Sequence, residues 1–207
     1  MTDRAFTIFV VDDDARVLKA LARLLAAKGY AVRSFSSSRD FLERHDAATP
    51  GCAILDVSMP GLDGLTLQDA LSKSGNQRPI IFLTGKGDIP TSVRAMKAGA
   101  IDFLTKPVDD RSLLDAILQA ERIDFTARQT DAELSVIREK IAALTPRERE
   151  VLTHVIAGRL NKQIAEKLGT VEKTIKVHRG RMMGKLGVRT VADLVRLTEK
   201  AGISAQS

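Results

Sequence analysis

Cysteine is nearly absent from this chain of 207 residues. Its single thiol, Cys52, has no partner for an internal disulfide, and one cysteine excludes a cysteine-rich zinc site. Because Cys52 begins an apolar, strand-like run, we expect it to be a small buried residue and not a nucleophile.

Long hydrophobic runs are absent as well. The chain has no apolar tract of about 18 residues, which excludes a membrane-spanning helix. A strand-like run begins soon after Met1, so we expect no signal peptide. With 44% hydrophobic and 28% charged residues, the composition is typical of soluble globular proteins, and we expect a cytoplasmic location.

Net charge is missing from the first part of the chain and concentrated in the last. Residues 1–122 hold 16 Lys and Arg against 16 Asp and Glu, and residues 123–143 hold 3 against 4. Residues 144–207 hold 13 against 6, a net charge of +7. The division predicts two domains joined by a linker at 123–143. The last domain is suited to a polyanion, although a solvated lysine-rich face would give the same count.

Strand-like and helical segments alternate in the first part. The apolar, β-rich runs lie at Phe6–Val11, Ala31–Phe35, Cys52–Leu55, Pro79–Leu83 and Asp102–Leu104. Segments with helical spacing separate them. This alternation predicts an α/β domain with a five-stranded parallel sheet covered by helices on both faces.

Polar residues follow four of these strands, at what should be one edge of the sheet. They are Asp12, Asp13, Asp56, Thr84 and Lys106. Singly, each has a plain explanation as a turn residue, helix cap or surface lysine. Together, the carboxylates would repel one another and favour a hard cation such as Mg²⁺. Asp56 could then attack a phosphoryl group whose oxygens meet Thr84 and Lys106.

In order and spacing, the residues Asp12-Asp13, Asp56, Thr84 and Lys106-Pro107 resemble the receiver domain of two-component response regulators. The resemblance covers roughly residues 6 to 120 and implies a flavodoxin-like fold. It implies that Asp56 accepts phosphate from a sensor histidine kinase, and that the peptide before Pro107 is cis.

The same resemblance implies a metal site and a switch residue. Mg²⁺ would be held by Asp13 as a direct ligand and by Asp12 in the outer shell, together with Asp56 and the backbone carbonyl of Ser58. Phe103 occupies the position whose ring turns inward on activation, although a half-buried strand aromatic is the plain alternative.

Glycine and proline are absent between Pro107 and Pro146. A flexible linker would contain them, so we predict one helix over Ser112–Ala143, about 48 Å long at 1.5 Å per residue. Heptad spacing relates Leu113, Ala116, Ala120, Ile123, Ala127, Thr130, Leu134, Ile137, Ile141 and Leu144. This stripe predicts a dimeric coiled coil through the 113–144 helix. A helix folded against its own domains is the alternative.

Helix signals crowd the last part of the chain. Thr145, Pro146 and Glu148 form a strong helix start with a capping box. Gly169 separates a short second helix from a third over Val171–Leu186, and a fourth follows. Two short helices joined by a glycine turn, the later one rich in cations, predict an all-α four-helix domain of the helix-turn-helix kind.

The third helix of this domain has two faces. Spacing predicts a core face at Val171, Ile175, His178 and Met182. On the outer side, the cations Lys173, Lys176 and Arg179 suit phosphates and major-groove edges, and Val177 suits a thymine methyl.

The runs Leu144 to Leu152, Asn161 to Ala165 and Thr174 to Arg179 resemble the LuxR-type DNA-binding domain. The resemblance implies groove contacts from Lys176 and Val177 and a phosphate contact from Thr174. Gly180 departs from the pattern, because some relatives carry a cation there; either this base contact is missing, or Arg179 or Arg181 supplies it. Both domains together resemble the FixJ-type subgroup of transcriptional regulators.

These resemblances imply a regulator, not an enzyme. It would be phosphorylated on Asp56, dimerise through its fourth helix and fifth strand, and bind promoter DNA. An aspartyl-phosphate enzyme is a second hypothesis, disfavoured because such enzymes carry an acid where this chain has Ser58. A third is a phosphate-independent DNA binder whose first domain only dimerises.

Overall fold

The computed structural model describes residues 6–85 and 88–203. The chain divides into two compact units, Met1–Arg128 and Gln129–Ser207. The predicted domain limits, 1–122, 123–143 and 144–207, stay a prediction. Among the described residues, no helix combines the length and apolar character that crossing a membrane requires.

Five parallel strands form the sheet of the first unit. They are β1 (Thr7–Val11), β2 (Ala31–Phe35), β3 (Gly51–Asp56), β4 (Ile80–Thr84) and β5 (Asp102–Thr105). Their order across the sheet is β2-β1-β3-β4-β5. Every residue of β1, β3 and β4 is buried, because helices cover both faces of the central strands. The predicted parallel sheet is confirmed.

Helices follow the strands in alternation. They are α1 (Ala15–Ala27), α2 (Ser38–Arg44), α3 (Gly64–Lys73), α4 (Ile89–Lys97) and α5 (Asp110–Ala142). The first four begin at side-chain caps, provided by Asp14, Ser37, Asp63 and Asp88. One hydrophobic cluster packs on each face of the sheet.

The strand register brings Asp12 and Asp56 to one edge of the sheet. Val11 pairs with Leu55, so the residues that follow them lie side by side at the carboxyl ends of β1 and β3. The close start of α3 requires Gly64, because a Cβ there would lie 2.2 Å from the carbonyl oxygen of Asp56.

Helix α5 is 33 residues long, and the predicted single helix over the connector is confirmed. Both ends of the predicted heptad stripe are buried within the chain. Leu113, Ala116 and Ala120 belong to a core cluster of the first unit, and Ile141 and Leu144 to that of the second. The stripe therefore supplies core residues at its ends, and only its middle remains available to a partner helix.

An arginine fastens α5 to the loop before β3. Arg128 Nε donates to Asp124 Oδ2 at 2.8 Å, and its terminal nitrogens donate to the carbonyl oxygens of residues 47–49 at 2.9 to 3.3 Å. Asp124 is only 5% exposed and also accepts from the backbone nitrogen of Gly51. The middle of α5 is therefore held against the start of the strand that carries Asp56.

Up to residue 203, where the described part of the chain ends, the second unit contains four helices after α5: α6 (Pro146–Ile156), α7 (Asn161–Lys167), α8 (Glu172–Leu186) and α9 (Val191–Lys200). The predicted capping box joins Thr145 and Glu148. Lys185 Nζ donates to Glu148 at 2.7 Å, and this bond with the capping bonds lowers the pKa of Glu148 to about 2. The predicted all-α four-helix domain is confirmed.

Replacing Arg128 with Ala should free the middle of α5. Asp124 would keep one backbone donor while losing its buried counterion, so we expect a loss of about 1–3 kcal/mol in unfolding free energy. Hydrogen exchange should accelerate over residues 120–128. Arg122→Ala, which removes an exposed arginine of the same helix, is the control, and equal effects of the two changes would contradict this anchoring role.

Candidate functional site

Lys106 joins two buried carboxylates at the carboxyl edge of the sheet. Its Nζ donates to Asp12 Oδ2 at 2.5 Å and to Asp56 Oδ1 at 2.6 Å. Asp12 is 2% exposed and Asp56 is 5% exposed. One ammonium therefore offsets part of the repulsion between two acids in a desolvated place.

The pKa values of Asp12 and Lys106 follow from this arrangement. Burial raises the pKa of Asp12, although hydrogen bonds from Lys106 and the backbone of Asp14 act in the opposite direction. Burial alone would lower the pKa of Lys106, but its hydrogen bonds to both aspartates outweigh burial and raise it. The lysine is therefore charged at neutral pH.

Other predicted site residues surround this group. Thr84 ends β4 and is fully buried, and its carbonyl oxygen accepts from the backbone nitrogen of Lys106 at 2.7 Å. The backbone nitrogen of Ser58 donates to Asp56 Oδ2 at 2.8 Å. The peptide between Lys106 and Pro107 is cis, as the resemblance implied.

Two of the predicted metal-binding acids, Asp12 and Asp56, fit a cation, and the full predicted ligand set stays a prediction. Within residues 6–85 and 88–203, no three His, Cys, Asp or Glu side chains are placed to share a metal ion. Asp13 is exposed, while Asp12 and Asp56 direct oxygens to the same ammonium. Two carboxylate oxygens converging on one positive charge form a donor set of the type that Mg²⁺ prefers.

Phe103 lies on β5 close to this edge. Its ring is half-buried, with its centroid 6.0 Å from that of Phe82, and packs on a core cluster of the sheet. This position matches the plain alternative of a half-buried strand aromatic. Its role as a switch stays a prediction.

Helix α8 packs through Ile175, Met182 and Leu186, which are buried. The prediction that Val171 faces the core is wrong. Val171 precedes the first helical residue as the N-cap and is 65% exposed, so the helical spacing does not extend to it. His178 is half-buried on the side of the core.

The predicted DNA-contacting residues are divided by their exposure. Lys173, Lys176, Val177 and Arg181 are exposed, and Thr174 and Arg179 are half-buried. Arg179 Nη1 donates to Asn161 Oδ1 at 3.0 Å. The outer face of α8 therefore presents cations around an apolar residue, the pattern that major-groove recognition uses.

Two features were missed by sequence reasoning. The first is an exposed apolar row on α4, at Ile89, Val93 and Met96, whose helical spacing could have been found in the sequence. The second is the anchoring of α5 by Arg128. No sequence signal indicates it, because its carbonyl partners lie about 80 residues away.

Comparison with protein families accounts for both units. Residues 8–118 match the response regulator receiver domain, and residues 142–198 match the bacterial regulatory proteins of the luxR family. The chain is a response regulator with a LuxR-type output domain. Receiver and output domains of this family make transcriptional regulators of two-component systems, not enzymes.

Similar proteins share this organisation along nearly their whole length. The response regulator protein TodT of Pseudomonas putida is 45% identical over 200 residues, which are 97% of this chain and 88% of TodT. The transcriptional regulatory protein FixJ of Bradyrhizobium diazoefficiens is 39% identical over 196 residues, 95% of this chain and 96% of FixJ.

Solved structures agree with the fold of this response regulator. The low-resolution structure of response regulator StyR is 45% identical, covers 95% of this chain and 99% of its own, and has a TM-score of 0.83. The structure of full-length FixJ from B. japonicum is 39% identical, covers 95% of this chain and 97% of its own, and has a TM-score of 0.58. The predicted combination of receiver, long helix and helix-turn-helix domain is confirmed.

Replacing Lys106 with Met should destabilise the receiver in a pH-dependent way. Without the ammonium, the pKa of Asp12 should rise further, because the hydrogen bond and the positive charge of Lys106 both lower it. When the pKa of an acid in the folded protein lies above its ordinary value of 3.8, the folded protein loses stability as the pH rises from 3.8 to that higher pKa. The thermal unfolding midpoint of Lys106→Met should therefore lie further below that of wild type at pH 7.5 than at pH 4.

Lys97→Met is the matched control for this measurement, because Lys97 is an exposed lysine on α4. At neutral pH, we expect Lys106→Met to lower the free energy of unfolding by about 1–3 kcal/mol. Adding Mg²⁺ should restore part of this lost stability. A pH-independent difference between Lys106→Met and wild type would contradict the shared-cation arrangement.

Proposed function

We propose that this response regulator is phosphorylated on Asp56 by a sensor histidine kinase, dimerises, and then binds promoter DNA to regulate transcription. The observation that carries the proposal is the cation shared by Asp12 and Asp56 at the carboxyl edge of the sheet. Open α/β sheets bind their ligands at this edge. The family and the absence of a spanning helix among the described residues favour a cytoplasmic location.

The chemistry is transfer of a phosphoryl group. An oxygen of the Asp56 carboxylate forms a bond to phosphorus, and the bond from phosphorus to the kinase's histidine nitrogen breaks, which leaves an acyl phosphate. Lys106 and Thr84 are suited to contact the phosphoryl oxygens, by charge and hydrogen bond respectively.

Asp12, Asp13, Asp56 and the carbonyl oxygen of Ser58 would hold Mg²⁺. When bound, the ion supplies positive charge that offsets repulsion between the carboxylate and the phosphoryl group. Apart from the ion, Lys106 already supplies one positive charge to Asp12 and Asp56, which offsets part of their repulsion and holds them close together.

Phosphorylation would redirect Lys106 and Thr84 to the new oxygens, and we propose that Phe103 follows inward. The face formed by α4 and β5 would then change and accept a second copy. The exposed row at Ile89, Val93 and Met96 supports this location, because a dimer interface buries apolar side chains at its centre. Dimerisation through the middle of α5 is the alternative, supported by exposed Phe125 and Val136.

The output domain would bind DNA through α8. Residues 144–207 carry 13 Lys and Arg against 6 Asp and Glu, which favours contact with phosphates. We propose that Lys176 and Val177 reach the major groove and that Lys173 and Thr174 contact the backbone. A dimer presents two such helices to half-sites one helical turn apart.

Labelling tests the phosphoacceptor. With Mg²⁺ and a small radiolabelled phosphodonor, wild type should incorporate phosphate and Asp56→Asn should not, because the amide lacks the carboxylate oxygen that attacks phosphorus. Asp69→Asn, which alters an exposed aspartate of α3, is the control and should label as wild type does. Equal labelling of all three proteins would remove Asp56 from this role.

Sedimentation with and without the phosphodonor tests the dimer surface. Val93→Asp should abolish the phosphodonor-dependent dimer, because a carboxylate would be buried against a second copy. Val136→Asp on α5 is the matched control and should dimerise as wild type does. Loss of the dimer only in Val136→Asp would place the interface on α5 instead.

A further inference from the structure

Arg179 and Arg181 lie on different sides of α8. Arg179 follows buried Ile175 by one turn, and its half-buried guanidinium donates to Asn161 at 3.0 Å. Arg181 follows exposed Val177 by one turn and is itself exposed. Helical geometry therefore directs one arginine along the core and the other toward the outer face.

The Arg179 contact connects the two helices of the helix-turn-helix. Asn161 is the first residue of α7, and Arg179 lies in the middle of α8. Reaching a phosphate would require Arg179 to give up a hydrogen bond already made within the domain. Arg181 bears no such cost, since no hydrogen bond or ion pair of its side chain is found within residues 6–85 and 88–203.

Gly180 leaves a gap between these arginines on the outer surface. It follows Lys176 by one turn, and a Cβ added there would meet no atom within 4 Å. Packing inside the domain therefore gives no reason for a glycine, which weakens a helix interior. Beside the gap, Arg181 is the exposed cation that can extend over it.

Resting on the proposed DNA binding, we propose that Arg181 supplies the cationic DNA contact beside Gly180, and that Arg179 is a positioning residue. Arg179 acts through Asn161 by fixing the angle of α8 against α7. The two arginines therefore contribute to binding in different ways. Arg181 adds affinity for any duplex, whereas Arg179 adds selectivity for the preferred sequence.

Salt dependence of binding distinguishes these roles. Full-length protein would be titrated with a labelled random-sequence duplex at several salt concentrations. Arg181→Ala should weaken binding about tenfold and reduce the slope of log affinity against log salt by about 0.9, because one phosphate contact is lost. Adding Gly180→Lys to Arg181→Ala should restore the slope. Arg196→Ala on α9, also an exposed arginine, is the control and should change neither quantity.

Selectivity tests the positioning role. Arg179→Met should leave the salt slope unchanged while lowering the ratio of affinities for a wild-type-selected duplex and the random one about tenfold. Asn161→Ala should have the same effect, and the double variant should be no worse than either single one. A purely structural defect would weaken binding to both duplexes equally and leave the ratio unchanged, which would overturn the proposal.

Other outcomes are equally decisive. If Arg179→Met reduces the slope by about 0.9 and Asn161→Ala has no effect, Arg179 contacts phosphate and the proposal is wrong. An unchanged slope in Arg181→Ala would also overturn it. If wild type itself shows no salt-dependent binding to either duplex, the proposed DNA binding fails, which is a distinguishable result.

Discussion

One ammonium between two buried carboxylates is the interaction on which the receiver site depends. Asp12 and Asp56 end neighbouring strands, so the fold forces them together in a place with little solvent. Lys106 comes from the loop after β5 and meets both. In the proposed function, a phosphoryl group on Asp56 would bring new negative charge to the same point and give the lysine a second partner. Charge balance at this edge would then couple the chemistry to the conformation.

The long helix serves the two units in different ways. Its first turns complete a core of the receiver, and its last turns complete the core of the output domain. The heptad stripe that predicted a coiled coil is real as a pattern, but periodicity alone does not distinguish an intermolecular seam from two intramolecular cores. Arg128 then fixes the middle of α5 to the loop before β3.

In the output domain, similar cations have different surroundings. Lys173, Lys176 and Arg181 are exposed on α8, whereas Arg179 is tied to Asn161. A net charge of +7 over residues 144–207 therefore does not measure the charge available to DNA. The same holds for acidic residues. The Glu148 carboxylate already accepts hydrogen bonds from Lys185 and from the backbone nitrogen of Thr145 at the start of α6.

The sequence by itself determined the elements and their order, because strand alternation, helix caps and the capping box at Thr145 are local signals. It also identified the strand-end residues Asp12, Asp56 and Thr84, since parallel strands must end at one edge. Tertiary structure alone decided that Lys106 meets both acids, that Arg128 reaches carbonyls about 80 residues away, and that Val171 lies outside the core. The physical reason is that caps and periodicity act over a few residues, whereas these contacts depend on how separate elements pack.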